Sequence, residues 1–154
     1  MHPASCAAFI PAESLPMSSL FNTSGAAQWY GALIKPVFAP PAALFGPVWG
    51  VLYVIIAISF GWVLVQCLRR RQPWALLLPF ALNVLFNVAY TPIQFGLRNN
   101  LLASVDIVLV LGTLLWAMVA VWQRARWVAL VNVPYLLWVS FATVLQFSIT
   151  WLNR

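Results

Sequence analysis

Apolar and polar positions divide the chain into a broken beginning and four long apolar runs. From Leu44 to Leu68 no charge interrupts the text, and Arg69-Arg70-Arg71 closes it. Three more runs follow, at about 74–96, 100–122 and 127–152. Each approximates the roughly 20 residues that cross bilayer hydrocarbon as a helix. The connectors are short, which sets neighbouring helices antiparallel. Backbone groups in lipid must be satisfied within helices, so the predicted fold is an all-α integral membrane bundle. Residues 1–28 read differently. Pro3, Pro11, Pro16, Glu13 and a Ser/Asn/Thr run break any long apolar stretch, and there is no basic start of a signal peptide. An irregular segment with at most a short helix is expected there, or else a poorly formed first span.

Between the broken segment and the first run lies WYGALIKPVFAPPAALFGPVWGVLY, Trp29 to Tyr53. It is read as a loop that becomes a membrane helix. Lys35-Pro36 and Pro40-Pro41 forbid a regular helix, because proline lacks the N–H and restricts its predecessor. Pro47 is placed in the first turn of the span, where a missing donor costs little. A stiff loop loses little entropy on closing, so this one is a candidate lid.

The polar residues inside the spans fall on faces. Asn83, Asn87, Tyr90 and Gln94 share one side of a 3.6-residue helix. Asn132, Tyr135, Trp138, Gln146 and Thr150 share a broad side of the last span, Asp106, Thr113 and Trp116 align in the third, and Trp49 and Tyr53 in the first. Polar groups in a bilayer face the bundle interior or a cavity. Two readings stay open: amides binding helix to helix, or an enclosed pocket under the lid. Trp74, Trp122, Trp127 and Trp151 sit at span ends as interfacial belt residues. Trp49, Trp116 and Trp138 lie deeper and are pocket candidates, with core packing as the rival. Asp106 reads as a helix-dipole partner, paired with Arg98, ahead of a ligand carboxylate. Gly46 and Gly50 form a G-x-x-x-G, a close-packing or dimer face.

Composition narrows the class. With 64% hydrophobic and 6% charged residues the chain is no soluble globule. The charge of +6 sits mostly on connector arginines and reads as topology, not as a nucleic-acid surface. Arg69, Arg70, Arg71, Arg124 and Arg126 share one membrane face, against Lys35, Arg98 and Arg154 on the other. That places the triple-arginine face in the cytoplasm and the lid opposite. Cys6 and Cys67 then lie on opposite faces, so no disulfide is expected. The one histidine is His2, and no His/Cys/carboxylate cluster exists to hold a metal.

Ordered blocks now carry a resemblance: WY-x-x-L-x-KP-x-x-x-PP, F-x-x-VW-x-x-LY, LNVLFNVAYTPIQFG, VDIVLVLG and PYLLWVSFATVLQF. Over about Trp29 to Asn153 the chain resembles the translocator protein family, also called TspO, tryptophan-rich sensory proteins or peripheral-type benzodiazepine receptors. The resemblance implies a five-helix membrane bundle, often dimeric, with a pocket beneath the loop between helices one and two. Here four spans are clear and the first helix is degenerate, lost or replaced, so residues 1–28 stand in its place and 29–154 form the membrane domain. It implies porphyrin or haem as ligand, with no required cofactor, no metal site and no nucleic-acid partner. The carried-over pocket is Trp29, Tyr30, Trp49, Tyr53, Asn83, Asn87, Tyr90, Asp106, Tyr135 and Trp138. A flat macrocycle would stack on Trp49, Trp138 and Tyr53, with Lys35 and Arg98 near its propionates. An axial histidine from the bundle is excluded by the sequence.

The implied function is a membrane tetrapyrrole-binding translocator or sensory protein. The alternatives are a light-dependent porphyrin-degrading enzyme, with Trp49 and Trp138 as its reactive pair, and a porphyrin or lipid transporter. Tyr90 stands where many members have Trp, and Asn83 where many have Gln. Phe147 replaces the Tyr of the animal sterol motif, so specific cholesterol recognition is not predicted.

Overall fold

A computed structural model describes residues 23–153. Its elements run α1 (Thr23–Ala32), α2 (Ala42–Leu68), a 3-10 turn (Trp74–Leu76), α3 (Leu77–Thr91), a π-helical turn (Pro92–Gly96), α4 (Asn100–Trp122), α5 (Arg126–Val131) and α6 (Val133–Leu152). Among the described residues there is no strand. Four helical stretches are long and apolar enough to cross a membrane: Ala43–Leu68, Trp74–Gly96, Asn100–Trp122 and Val133–Leu152. The fold is an all-helical membrane bundle.

Three expectations need correcting. Trp29 and Tyr30 ride on α1 instead of opening a loop; residues 23–28 begin that short helix, of the kind the N-terminal segment allows. The rest of the expected irregular segment, residues 1–22, lies outside the described residues. Pro47 falls one turn deeper than placed, because α2 already begins at Ala42. Its missing N–H therefore leaves the Ala43 carbonyl without its usual helical donor. The last span is not one helix: it breaks at Asn132 (φ −89°, ψ 1°). Pro134 is the reason, since it cannot donate to the carbonyl four residues back. The Asn132 backbone N–H bonds Ala129 instead of Val128. The Val128 carbonyl is recovered by the side chain of the same residue, Asn132 Nδ2, at 2.7 Å.

Proline also shapes the end of α3. Pro92 has no N–H to continue the α ladder, and the bonding widens: Leu97 N donates to Pro92 O, five residues back, at 2.9 Å. The chain then leaves the helix through Arg98 at φ 52°, a left-handed conformation that L side chains resist. Arg70 ends α2 the same way, at φ 54°. α4 starts cleanly, with Asn99 Oδ1 accepting from Leu102 N at 3.0 Å as an N-cap.

α4 is the centre of the bundle. Ala103, Ile107, Val110, Leu114, Ala117 and Val121 recur at helical spacing and are buried. α3 and α6 pack along this face, whereas α2 meets α3, α5 and α6 at few points. The Gly46–Gly50 pair is not an internal packing face, because a Cβ at either position would meet no atom within 4 Å. The proline segment after α1 is tied to the far end of the chain. Ile34 N donates to Asn153 Oδ1 (3.0 Å) and Asn153 Nδ2 donates to Ile34 O (2.9 Å). Phe38 adds an edge contact to Phe141 of α6, centroids 6.4 Å apart.

Candidate functional site

The inward polar stripes of α3 and α6 meet, but in two separate knots. The first joins α2, α3, α4 and α6. Tyr53 Oη donates to Asn87 Oδ1 (3.3 Å), and Asn87 Nδ2 donates to Tyr135 Oη (2.9 Å). Tyr135 Oη donates to Asn83 Oδ1 (3.1 Å). Asn83 Nδ2 donates to Val110 O (2.8 Å) and reaches Thr113 Oγ1 (3.1 Å). Asn83, Asn87 and Tyr135 are buried, while Tyr53 is 50% exposed. Buried amides and phenols with partners hold helices together, since an unpaired one would cost its full desolvation.

The second knot lies nearer the loop end. Tyr90 Oη donates to Gln146 Oε1 at 2.8 Å. Gln146 Nε2 donates to Gln94 Oε1 (3.2 Å), and Gln94 Nε2 donates to Asn100 Oδ1 (3.2 Å). Ser104 and Thr150 share a 2.7 Å bond beside it. The π-helical turn puts Gln94 at this buried spot.

An aromatic seam runs between α2 and α6 above the first knot. Trp49 stacks at a tilt on Tyr53 (5.4 Å, 32°) and meets Tyr135 edge-on (6.4 Å). One turn along, Trp138 contacts Phe45 and Phe141, each at 5.8 Å. These separations are those at which ring quadrupoles favour edge and offset contact. The Trp138 Nε1 atom is buried and has no hydrogen-bond partner.

The twelve residues read from sequence therefore divide. Trp49, Tyr53, Asn83, Asn87 and Tyr135 are brought together, and Trp138 adjoins them along α6. Tyr90 belongs to the second knot. Tyr30 packs on Phe95 (5.9 Å), Lys35 Nζ lies 4.5 Å above the Tyr30 ring, and burial raises the Tyr30 phenol above its ordinary pKa. Trp29, on the same helix, is half-buried. Arg98 is exposed on the α3–α4 connector. Asp106 is buried, its Oδ2 has no partner, and among the described residues no ion pair joins it to Arg98. The expected pairing is not formed. Trp116, grouped with the deep tryptophans, is 49% exposed and off the packed face of α4. Trp127, assigned to the belt, packs against Trp62 at 5.3 Å.

The reading missed Phe45, Phe141 and the Asn153 clamp. Phe45 stands four residues before Trp49 and Phe141 three after Trp138, which is same-face spacing and a usable signal. Nothing in the sequence ties Asn153 to Ile34. Two open cavities, of about 500 and 530 Å³, lie elsewhere. One is at Arg70–Trp74, the other between Pro36, Leu101, Phe147 and Trp151. Neither is walled by Trp49 or Trp138.

Comparison with known proteins bears on these residues. The model of the TspO/MBR family matches residues 6–152, reaching into the N-terminal segment where the motif blocks stop at Trp29. The tryptophan-rich protein TspO of Chlorobaculum tepidum is 33% identical over 88% of this chain and 85% of its own length. The human translocator protein is 35% identical over 79% of this chain and 73% of its own. A tryptophan-rich sensory protein of Cereibacter sphaeroides is 32% identical over 82% and 77%. With the four spanning helices, these matches establish a multi-pass integral membrane protein that belongs to the TspO/MBR family.

Proposed function

We propose that this chain is a membrane translocator or sensory protein that takes a flat tetrapyrrole, porphyrin or haem, against the α2–α6 seam. The supporting observation is a pair of neighbouring aromatic clusters on α2 and α6, Tyr53–Trp49–Tyr135 and Phe45–Trp138–Phe141, the second touched by Phe38 of the proline segment. Rings of this kind receive a flat apolar macrocycle without a directional bond. Of the four spanning helices, α2 packs least against its neighbours, so parting it from α6 opens the seam at little cost in contacts. Lys35 sits at the loop end, where an anionic side chain of the ligand finds a cation. The only histidine of the chain is His2, so no bundle imidazole is available to a haem iron. The residues present fit ring stacking and not histidine ligation. The names of the relatives, translocator and sensory protein, agree with this role.

The test is a fluorescence titration of the full chain in detergent with protoporphyrin IX. Saturable binding is expected, weakened about three- to tenfold by Trp138→Leu, in line with the worth of an aromatic pair. Absence of saturable binding to the wild-type chain would sink the reading.

A further inference from the structure

The direction of every hydrogen bond in the first knot is fixed by one backbone carbonyl. Val110 O can only accept, so Asn83 turns its Nδ2 toward it, at 2.8 Å. Asn83 Oδ1 then faces Tyr135 Oη at 3.1 Å and can only accept the phenol proton. With that single proton committed, Tyr135 Oη must accept from Asn87, which therefore presents Nδ2 at 2.9 Å. Asn87 Oδ1 is left for Tyr53, whose hydroxyl donates to it at 3.3 Å. The donors all point from α2 through α3 and α6 to α4. Turning either amide over would set oxygen against oxygen, so the polarity follows from chemistry and not from the choice of amide flip.

We propose that Tyr53 determines specificity, presenting its oxygen to the seam as an acceptor only. The site then selects flat aromatic ligands that carry an N–H or O–H at the edge lying against Tyr53. This rests on the seam being the binding site. The geometry suits it: the Tyr53 ring is 50% exposed and lies 5.4 Å from Trp49 at 32°. A planar molecule on that pair meets the phenol oxygen with its rim. A rim acceptor there opposes lone pair to lone pair, and Tyr53 cannot turn its proton outward without leaving Asn87 Oδ1 unpaired at a buried residue. Sites that hydrogen-bond one polar group reject isosteres lacking it.

Carbazole and dibenzofuran test this directly, because they share one three-ring shape and differ in an N–H donor against a ring oxygen. Each is titrated as a displacer of protoporphyrin IX from the full chain in detergent. Carbazole is expected to bind about tenfold tighter than dibenzofuran to the wild type. Tyr53→Phe should bring the two within about twofold. Asn87→Ala should also narrow the gap, through a gain by dibenzofuran, because the released Tyr53 proton can now be donated; a merely space-filling Tyr53 would not respond to that change. Infrared difference spectra of ring-labelled tyrosine give a readout on the unmutated chain: the phenol C–O band shifts with carbazole and not with dibenzofuran. Equal binding of the two by the wild type, a preference that survives Tyr53→Phe, or displacement by neither would overturn the proposal while leaving porphyrin binding intact. Failure of protoporphyrin IX itself to bind overturns the seam reading with it.

Discussion

The α3–α4–α6 wall and the α2 seam are built on different physics. In the wall, small and aliphatic side chains of α4 pack at helical spacing with no exposure at Ala103, Leu114, Ala117 and Val121. Amides then cross between helices: Asn83 reaches a backbone carbonyl of α4. In the seam, α2 meets α6 through broad rings at 5.8 to 6.4 Å, and its Gly46 and Gly50 face open space. Close aliphatic packing and directional bonds tolerate no sliding, whereas ring faces and edges keep most of their contact when one helix shifts. The bundle thus joins a rigid half to a compliant one, and the residues of the candidate site lie where the two halves meet.

Changes within the wall should cost most. Leu114→Ala is expected to lower unfolding free energy by about 3 kcal/mol, through lost burial and an unfilled cavity, read from detergent-phase unfolding. If that loss is no larger than the loss from Phe45→Ala in the seam, the contrast between the halves fails. Asn83→Leu comes next, at about 1–2 kcal/mol, since it strands the Tyr135 proton, whereas the Val110 carbonyl keeps Thr113 Oγ1 at 3.1 Å. A neutral result would mean that the amides do not staple α3 to α4.

Smaller effects belong to the borders of the compliant half. Asn153→Ala removes both bonds to Ile34. The Ile34 amide should then exchange hydrogen several-fold faster while global stability stays level, because the opening is local. Unchanged exchange would show that Phe38 alone holds the segment. Smallest is Arg70→Gly, which relieves a left-handed residue at the end of α2. Removing the Cβ clash should raise stability by about 1 kcal/mol, and a lowered midpoint would show that the Arg70 side chain contributes more than its backbone costs.

Much of the architecture is written locally. The run from Leu44 to Leu68 and the stop at Arg69 follow from length and charge, and α4 begins at an Asn99 cap that any reader of caps can find. The α3 stripe of Asn83, Asn87 and Gln94 is legible because one helix period places it on one side, and that side is buried. Other features were hidden for physical reasons. Helix propensity in Thr23–Ala32 is diluted by Gly25 and Gly31, and Tyr30 packs on Phe95, a contact that local preference does not announce. Trp116 follows Asp106 and Thr113 in sequence spacing, yet the stripe drifts round the helix, and Trp116 ends far from the face on which Val110, Leu114 and Ala117 are buried.

The chain by itself determined how many helices span, where prolines interrupt them and which side of each carries amides and rings. These depend on the 3.6-residue period, on the missing proline N–H and on the length of apolar runs, all of which act within a few residues. Tertiary structure decided which sides meet. Asn83 finds Tyr135 across 52 residues and Ile34 finds Asn153 across 119. It also divided one anticipated cluster into two knots and fixed the direction of the hydrogen bonds in the first. Rotation and register between helices come from summing many weak contacts over whole interfaces, and no single segment of sequence contains that sum.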